Sequence, residues 1–202
     1  MAAGNSVSPS AVFVTASPGL CLAFANTLTW RGSAAPSESL TDLQALLTWI
    51  ERQTGVGTGA LDGLRNGDAT LFEAAIGLRE TIYRVFEAIA AGRQPSAADF
   101  TALSDAIAAA PSRTRLERRG DGYAWRIPTP ETAVAQLLAP VLWAAADLLV
   151  DAGRRRIRQC ANEKCLWLFV DESKSGTRRW CDMTSCGNRA KAQRHYAKVR
   201  RA

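Results

Sequence analysis

Histidine is the scarcest catalytic residue type in this sequence, since only His195 among the 202 residues is a histidine. It lies near the C-terminus, so residues 1–151 contain no histidine for general acid–base chemistry or a catalytic triad. The carboxylates of that region are scattered along helical patterns, where solvated faces are the usual interpretation. We therefore expect the protein not to be an enzyme.

Long apolar runs and an export signal are also missing. No stretch reaches the roughly 18 consecutive apolar residues that a transmembrane helix needs, so we expect no membrane partner. Residues 1–19 have no basic segment ahead of their short apolar patch, as a secretory signal would require. These two absences lead us to expect a cytoplasmic location.

What the sequence does contain is an uneven distribution of charge. Residues 1–151 carry 11 Lys/Arg and 15 Asp/Glu, a formal charge of −4, whereas residues 152–202 carry 14 Lys/Arg and 4 Asp/Glu, a charge of +10. Such a split indicates a polyanionic partner for the basic part, most often nucleic acid. We place a domain boundary at this switch, which gives a body of residues 1–152 and a C-terminal domain of residues 153–202.

The body is expected to be mainly helical. Apolar residues recur at helical spacing in the segments 20–28, 40–54, 68–91, 95–110 and 129–151. Asp68 and Ser96 are candidate N-caps for two of these helices. Residues 115–127 instead place Gly-Asp-Gly between short strand-like segments, which predicts a β-hairpin. Residues 1–16 lack periodicity and are expected to be an extended or mobile lead-in.

Four of the five cysteines lie in the basic C-terminal domain. They form two pairs of the same spacing, Cys160-x4-Cys165 and Cys181-x4-Cys186, with 15 residues between the pairs. Clustered cysteines in a reducing compartment bind metal more often than they form disulfides. Zinc prefers four tetrahedral ligands, and four thiolates make a closed structural site. Structural zinc is favoured, while another metal, an iron–sulfur cluster and redox or incidental cysteines stay open.

The residues around the second cysteine pair indicate a small finger. Residues 166–171 are aromatic and β-branched, as strands are, and residues 177–181 are expected to return as a second strand after a turn. Residues 184–201 are rich in helix formers, with a Thr or Asp as the cap. The predicted order is knuckle, hairpin, and a helix whose first turn supplies the last cysteine pair, which is a treble-clef-like layout.

The C-terminal domain closely resembles the CGNR zinc finger family, named for the tetrapeptide that stands here as residues 186–189. The resemblance covers about residues 157–201 and includes the run 168–195. The body is similar to the ABATE domain, the usual companion of that finger, through residues 20–28 and the hairpin before the last long helix. The resemblance implies a bacterial, stress-induced transcription regulator with one structural Zn²⁺ and a finger that binds DNA.

Basic residues of the C-terminal domain are the candidate DNA contacts. A helical wheel collects four of them into one stripe about 80° wide, namely Lys191, Arg194, Lys198 and Arg201. Arg178 and Arg179, neighbours on the expected second strand, point to opposite faces and are further candidates. An apolar strip beside the stripe is expected to pack on the hairpin and the body, and consists of Ala192, Tyr196 and Val199.

The remaining residues of the tetrapeptide are interpreted as structural supports of the zinc site. Gly187 would let the chain approach the metal closely, and Asn188 would hydrogen-bond backbone near the cysteines. Arg189 lies off the basic stripe, on the packing side of the helix, with Asp171 or Glu172 as its expected partner.

Two functions follow from these patterns. In the first, the finger binds DNA and the body senses a small-molecule effector or mediates association into a homo-oligomer. In the alternative, the finger is a protein–protein interaction module that docks on an acidic protein, with a structural zinc and no direct DNA contact.

Overall fold

The structure, a computed structural model, describes residues 11–57, 59–66, 69–130, 133–153 and 156–200. Helices dominate these ranges, and the strands are short. No helix in the described ranges is long and apolar enough to cross a membrane. The predicted mainly helical class, with a small cysteine-containing C-terminal domain, is confirmed.

The helices of the body lie within the predicted segments, but Leu28, expected at the end of the first helix, belongs to a short strand instead. Their bounds are α1 Leu20–Ala25, α2 Leu43–Thr54, α3 Ala69–Ala90, α4 Ala97–Ala109, α5 Val134–Leu137 and α6 Ala139–Val150. The Asp42 carboxylate accepts the Ala45 N–H and caps α2, and the Ser96 hydroxyl accepts the Asp99 N–H and caps α4. The predicted cap Asp68 lies outside the described residues.

The prediction of a single helix over residues 129–151 is wrong within the described residues. The chain forms two helices there, α5 and α6, with Leu138 between them. Pro140 lies in the first turn of α6. Proline has no N–H to donate to an earlier carbonyl and its ring crowds that carbonyl, so it interrupts a continuous helix. At the start of a helix the missing N–H costs nothing, which is why α6 begins there.

A three-stranded antiparallel sheet covers one side of the body. Its strands are β1 Ala11–Val14, β4 Arg115–Arg119 and β5 Gly122–Pro128, in the order β1-β5-β4. The predicted hairpin is confirmed as β4 and β5. Residues 11–14 of the expected lead-in are a strand, which pairs Val12 with Ile127 and buries Val12 and Val14.

The core of the body lies where α1 packs between α3 and α6. Its fully buried side chains include Phe24, Ile82, Phe86 and Leu142. The same apolar cluster continues into the C-terminal domain through Ile157 and Leu168. The two domains therefore share one core.

A buried ion network lies in the body beside the two-stranded sheet of β2 Leu28–Thr29 and β3 Ser37–Glu38. Arg79, only 2% exposed, donates to Glu38 at 2.7 Å and to Glu80 at 2.8 Å. Arg31 donates to the other Glu80 oxygen at 2.6 Å and lies 3.9 Å over the Tyr83 ring. Burial would raise the pKa of Glu80, but hydrogen bonds and charge from Arg31 and Arg79 hold it below its usual value.

The C-terminal domain, called the finger below, contains β6 Ile157–Gln159, β7 Leu168–Val170, a π-helical turn at Met183–Gly187 and α7 Asn188–Val199. The hairpin pairs β7 with β6, so the prediction that residues 177–181 form the second strand is wrong. The backbone there has other partners. The Arg178 N–H donates to the Asp171 carboxylate at 3.0 Å, and the Arg179 carbonyl accepts the Ala161 N–H at 2.8 Å.

Candidate metal centre

Four cysteine sulfurs of the finger meet at one point. Cys160 and Cys165 bound the first knuckle, residues 160–165, which follows β6. Cys181 and Cys186 bound the second knuckle, residues 181–186, and Cys186 lies within the π-helical turn. The four Sγ atoms lie within 4.8 Å of one another, and the Cys165 and Cys181 sulfurs are 3.7 Å apart. Tetrahedral zinc with Zn–S bonds of about 2.3 Å places its sulfurs about 3.8 Å apart. The donor set therefore fits one zinc ion, and it is the set that the sequence predicts.

Asn162 shapes the first knuckle, a role that sequence reasoning missed. Its side-chain oxygen accepts the Lys164 N–H at 3.1 Å, and its carbonyl accepts the Cys165 N–H at 2.8 Å. Its amide group also donates to the Cys186 sulfur across the site at 3.6 Å. Such outer partners orient metal ligands and stabilise their charged form. The signal in the sequence is an asparagine, a strong turn former, between two cysteines.

Asp182 holds the second knuckle. Its carboxylate accepts the backbone N–H groups of Thr184 and Ser185, each at 3.1 Å, and the Thr184 hydroxyl at 2.5 Å. The hydroxyl and N–H of Thr184 lower the pKa of Asp182 to about 2. This carboxylate therefore stays charged at neutral pH and caps the turn that carries Cys186.

The thiols need a cation in order to ionise together. Burial raises the pKa of Cys165 to about 12, and burial together with repulsion from Cys160 and Cys165 raises that of Cys181. Burial also opposes ionisation of Cys186, but hydrogen bonds from Cys165 and Asn162 bring its pKa below the usual value. A divalent cation supplies the missing charge compensation, as at other thiolate sites.

The tetrapeptide residues surround the second knuckle. An added Cβ on Gly187 would lie 2.8 Å from the Met183 sulfur, so the glycine leaves room for that side chain. Asn188 donates to the Thr184 carbonyl at 3.1 Å. Arg189 lies 4.5 Å over the ring of Trp30, a body residue, and not on the expected Asp171 or Glu172.

Asp171 is instead a buried support within the finger. Its carboxylate accepts the Ser173 hydroxyl at 2.5 Å and the Ser173 and Arg178 N–H groups at 3.0 Å. The Ser173 hydroxyl is the main reason that the pKa of Asp171 lies below its usual value. Arg158 lies 3.9 Å away as its ion-pair partner.

The two neighbouring arginines differ in environment. Arg178 is half-buried over the Phe169 ring and donates to the carbonyls of Trp180, at 2.9 Å, and Cys181. Arg179 is exposed, with its guanidinium 5.4 Å from the Trp180 ring. Arg178 therefore supports the metal site, and Arg179 is the exposed member of the pair.

Helix α7 carries the rest of the predicted basic stripe. Lys191 is exposed, as is Arg200 just beyond the helix. The side chains of Arg194 and Lys198, and the whole of Arg201, lie outside the described part of the chain. Within it, the expected packing of the apolar strip is wrong, because Ala192 is exposed and Tyr196 and Val199 are 67% and 61% exposed. Arg189, in the first turn of α7, contacts the body at the ring of Trp30.

Direct hydrogen bonds join the body to the finger. The Asn26 amide donates to the Leu168 carbonyl at 2.8 Å, and its oxygen accepts the Leu168 N–H at 3.0 Å. Tyr83 donates to the Leu166 carbonyl at 3.1 Å and accepts from Gln159 at 3.0 Å. The first knuckle and β7 are therefore fixed on α1 and α3.

Strained backbone is concentrated at the same contact. Trp30 and Leu166 have positive φ angles of 56° and 59°, and they are the described non-glycine residues that do so. Bulky side chains rarely adopt this region, which costs roughly 1–3 kcal/mol. Gly32 is required nearby, since an added Cβ would lie 1.8 Å from the Glu163 carbonyl oxygen. The contacts between body and finger hold Trp30 and Leu166 in these unfavourable conformations.

Two family models match this chain. Residues 19–152 match ABATE, whose description reads "putative stress-induced transcription regulator", and residues 156–199 match the CGNR zinc finger. A comparison with curated proteins returned no match. The matches confirm the resemblance seen in the sequence, and the second spans all four gathered cysteines. The chain therefore belongs to the ABATE family and carries a CGNR zinc finger.

Proposed function

We propose that this protein is a DNA-binding transcription regulator, in which the finger contacts DNA and the body binds an effector or a partner. The family description supports a role in transcription. The formal charge of +10 on residues 152–202 supports a polyanionic partner for the finger. Four thiolates leave zinc no open position, which favours a structural metal and a protein that acts by binding rather than by catalysis. We place this binding function in the cytoplasm.

The observation that carries the proposal is how the finger uses its carboxylates. Asp171 and Asp182 accept hydrogen bonds from the finger's own backbone and hydroxyl groups. Asp171 also pairs with Arg158, and the exposed cations named next are different residues. Exposed basic side chains of the described finger include Lys164, Lys174, Arg179, Arg189, Lys191 and Arg200. Such a surface suits phosphate contacts, which release counterions from DNA.

A salt titration of DNA binding by the full-length, zinc-loaded protein tests this function. With about four phosphate contacts, the slope of log K against log salt should be near −3.6. Lys191→Ala should make the slope less steep by about 0.9, because one contact is lost. Arg52→Ala, an exposed cation at the end of α2, is the matched control and should leave the slope unchanged. A flat slope, or no binding at low salt, contradicts the proposal.

One observation favours the alternative of a protein-binding finger. Tyr196 and Val199 present exposed apolar surface on α7 beside its basic residues. A basic helix with such surface can also dock on an acidic protein. Capture of a protein partner that survives nuclease treatment, together with a flat salt slope for DNA, would favour this alternative.

A further inference from the structure

An open cleft of about 680 Å³ lies between the body and the finger. The body forms one wall with α1 and Trp49 of α2, and the finger forms the other with residues 167–170. Cys181, one of the four gathered cysteines, also lines the cleft. Pockets that hold small organic molecules typically have volumes of about 300–1,000 Å³ and lie between domains.

The chemistry of the walls restricts what can bind. The indole rings of Trp49 and Trp167 and the side chains of Leu22 and Val170 offer apolar and aromatic surface. Glu172 is exposed, and it is the one charged side chain among the described residues that line the cleft. No lysine or arginine of the described chain lines it. An anionic ligand would therefore meet only a negative charge, whereas a cation would meet a carboxylate and aromatic faces.

We propose that this cleft binds a small organic cation, an amine carried on an aromatic or aliphatic body. The ammonium group pairs with Glu172, and the apolar body lies among Leu22, Trp49 and Trp167. A role for this ligand as an effector rests on the proposed regulatory function, whereas its binding does not.

The position of the cleft connects an occupant to the metal centre. Asn26 lines the cleft and makes both hydrogen bonds to Leu168 of β7. On the far side of the cleft, Cys181 lies next to the residues that hold the second knuckle. A ligand here touches the body and the finger together, so it favours the arrangement in which the two are docked.

The first experiment titrates the full-length, zinc-loaded protein with three probes of one shape and different charge. These are 4-phenylbutylamine, 4-phenylbutanol and 4-phenylbutyrate, and binding is followed by tryptophan fluorescence. We expect the amine to bind tightest, the alcohol more weakly, and the carboxylate weakest. Binding of the carboxylate as tight as that of the amine, or no binding of the amine, overturns the proposal.

Two variants with matched controls locate the site. Glu172→Gln should weaken amine binding by about two- to five-fold, the range of an exposed ion pair, and leave binding of the alcohol unchanged. Glu163→Gln removes an exposed carboxylate outside the cleft and should change neither. Ala23→Phe fills the cleft from the exposed face of α1 and should abolish binding of both, whereas Ala98→Phe, on exposed α4 surface, should not.

The outcomes separate this proposal from the proposed function. Amine binding is measured without DNA, so absence of amine binding would not change the result expected from the DNA titration. Melting temperatures of the variants show that they are folded. Unchanged amine affinity in both Glu172→Gln and Ala23→Phe would place the amine elsewhere and overturn the proposal.

Discussion

The body and the finger are stabilised by different means. The body buries a large apolar cluster in which Phe24, Ile82 and Phe86 have no exposed surface. The buried residues of the finger's own cluster are Cys160, Cys165, Phe169 and Cys186, so three of the four are thiols. A cluster of this size excludes too little apolar surface from water to offset the entropy of ordering the chain.

The difference shows how a metal replaces a core. Binding of zinc by four thiolates contributes directly to folding, because the site does not exist in the unfolded chain. The finger gains further stability from the body, since Ile157 and Leu168 belong to the body's cluster and Asn26 bonds β7. The body should therefore survive loss of the metal, while the finger should not.

Loss of a zinc ligand should have the largest effect. In Cys165→Ser we expect zinc content to fall from one per chain to near zero and the finger to unfold, because zinc binding supplies about 10 kcal/mol or more. Metal analysis and limited proteolysis measure this, and helical circular dichroism from the body should persist. Cys21→Ala, at a fully buried cysteine of the body, is the control and should keep its zinc. Collapse of the whole chain in Cys165→Ser would contradict the comparison.

Breaking the ion network should destabilise the body without removing a metal ligand. Arg79→Ala removes one partner from both Glu38 and Glu80, although Glu80 keeps its bonds from Arg31. Loss of one member of a fully buried pair costs about 3–5 kcal/mol, and we expect a cost of up to this size here. Chemical denaturation measures the free energy of unfolding. The control Arg93→Ala removes an ion pair with Glu87 whose arginine side chain is 58% exposed, which should cost less than about 1 kcal/mol. Equal effects of the two substitutions would show that burial of Arg79 is unimportant.

A smaller effect is expected where the two regions touch. In Gly32→Ala the new Cβ would collide with the Glu163 carbonyl, and overpacking of this kind costs about 1–3 kcal/mol. Gly77→Ala, with open space in α3, should instead stabilise the body by about 0.5–1 kcal/mol. Thermal unfolding of both variants checks the sign. A stable Gly32→Ala variant would mean that the first knuckle does not dock on residues 30–32.

The smallest effect should come from the cap of the second knuckle. The pKa of Asp182 is about 2, below its usual value of 3.8, so its stabilisation is complete above about pH 4 and lost only as pH falls towards 2. Asp182→Asn should therefore weaken zinc affinity by the same small factor from about pH 6 to about pH 8. Competition with a chelator measures the affinity, with the exposed turn variant Asp121→Asn as control. If the loss of zinc affinity in Asp182→Asn changed between about pH 6 and about pH 8, the carboxyl would titrate near neutral pH, which would contradict its low pKa.

Local chemistry made much of the architecture predictable. The spacing of the cysteines identified the metal ligands, Ser96 marked the start of α4, and Gly120-Asp121-Gly122 marked the β4–β5 hairpin. Each of these depends on residues that are close in sequence or share one well-known ligand chemistry.

The features that were missed depend on contacts between distant residues. The strand β1 is four residues long and pairs with β5, more than 100 residues later, so no periodicity reveals it. The partner of Arg189 is Trp30 in the body, a contact that a helical wheel of α7 alone cannot show. The same wheel predicted a packed apolar strip, whereas the side chains of Tyr196 and Val199 are largely exposed.

The bonds of Asn26 to both backbone groups of Leu168 have a consequence for the finger as a separate unit. At Leu168, one amide side chain takes the place of a neighbouring strand, so both backbone groups of this residue on the outer edge of β7 have partners. An unpaired edge is a template for pairing with other chains. A finger excised at the domain boundary would expose that edge together with Ile157 and Leu168, and we expect it to self-associate through them. In the intact chain, the body covers this part of the hairpin edge.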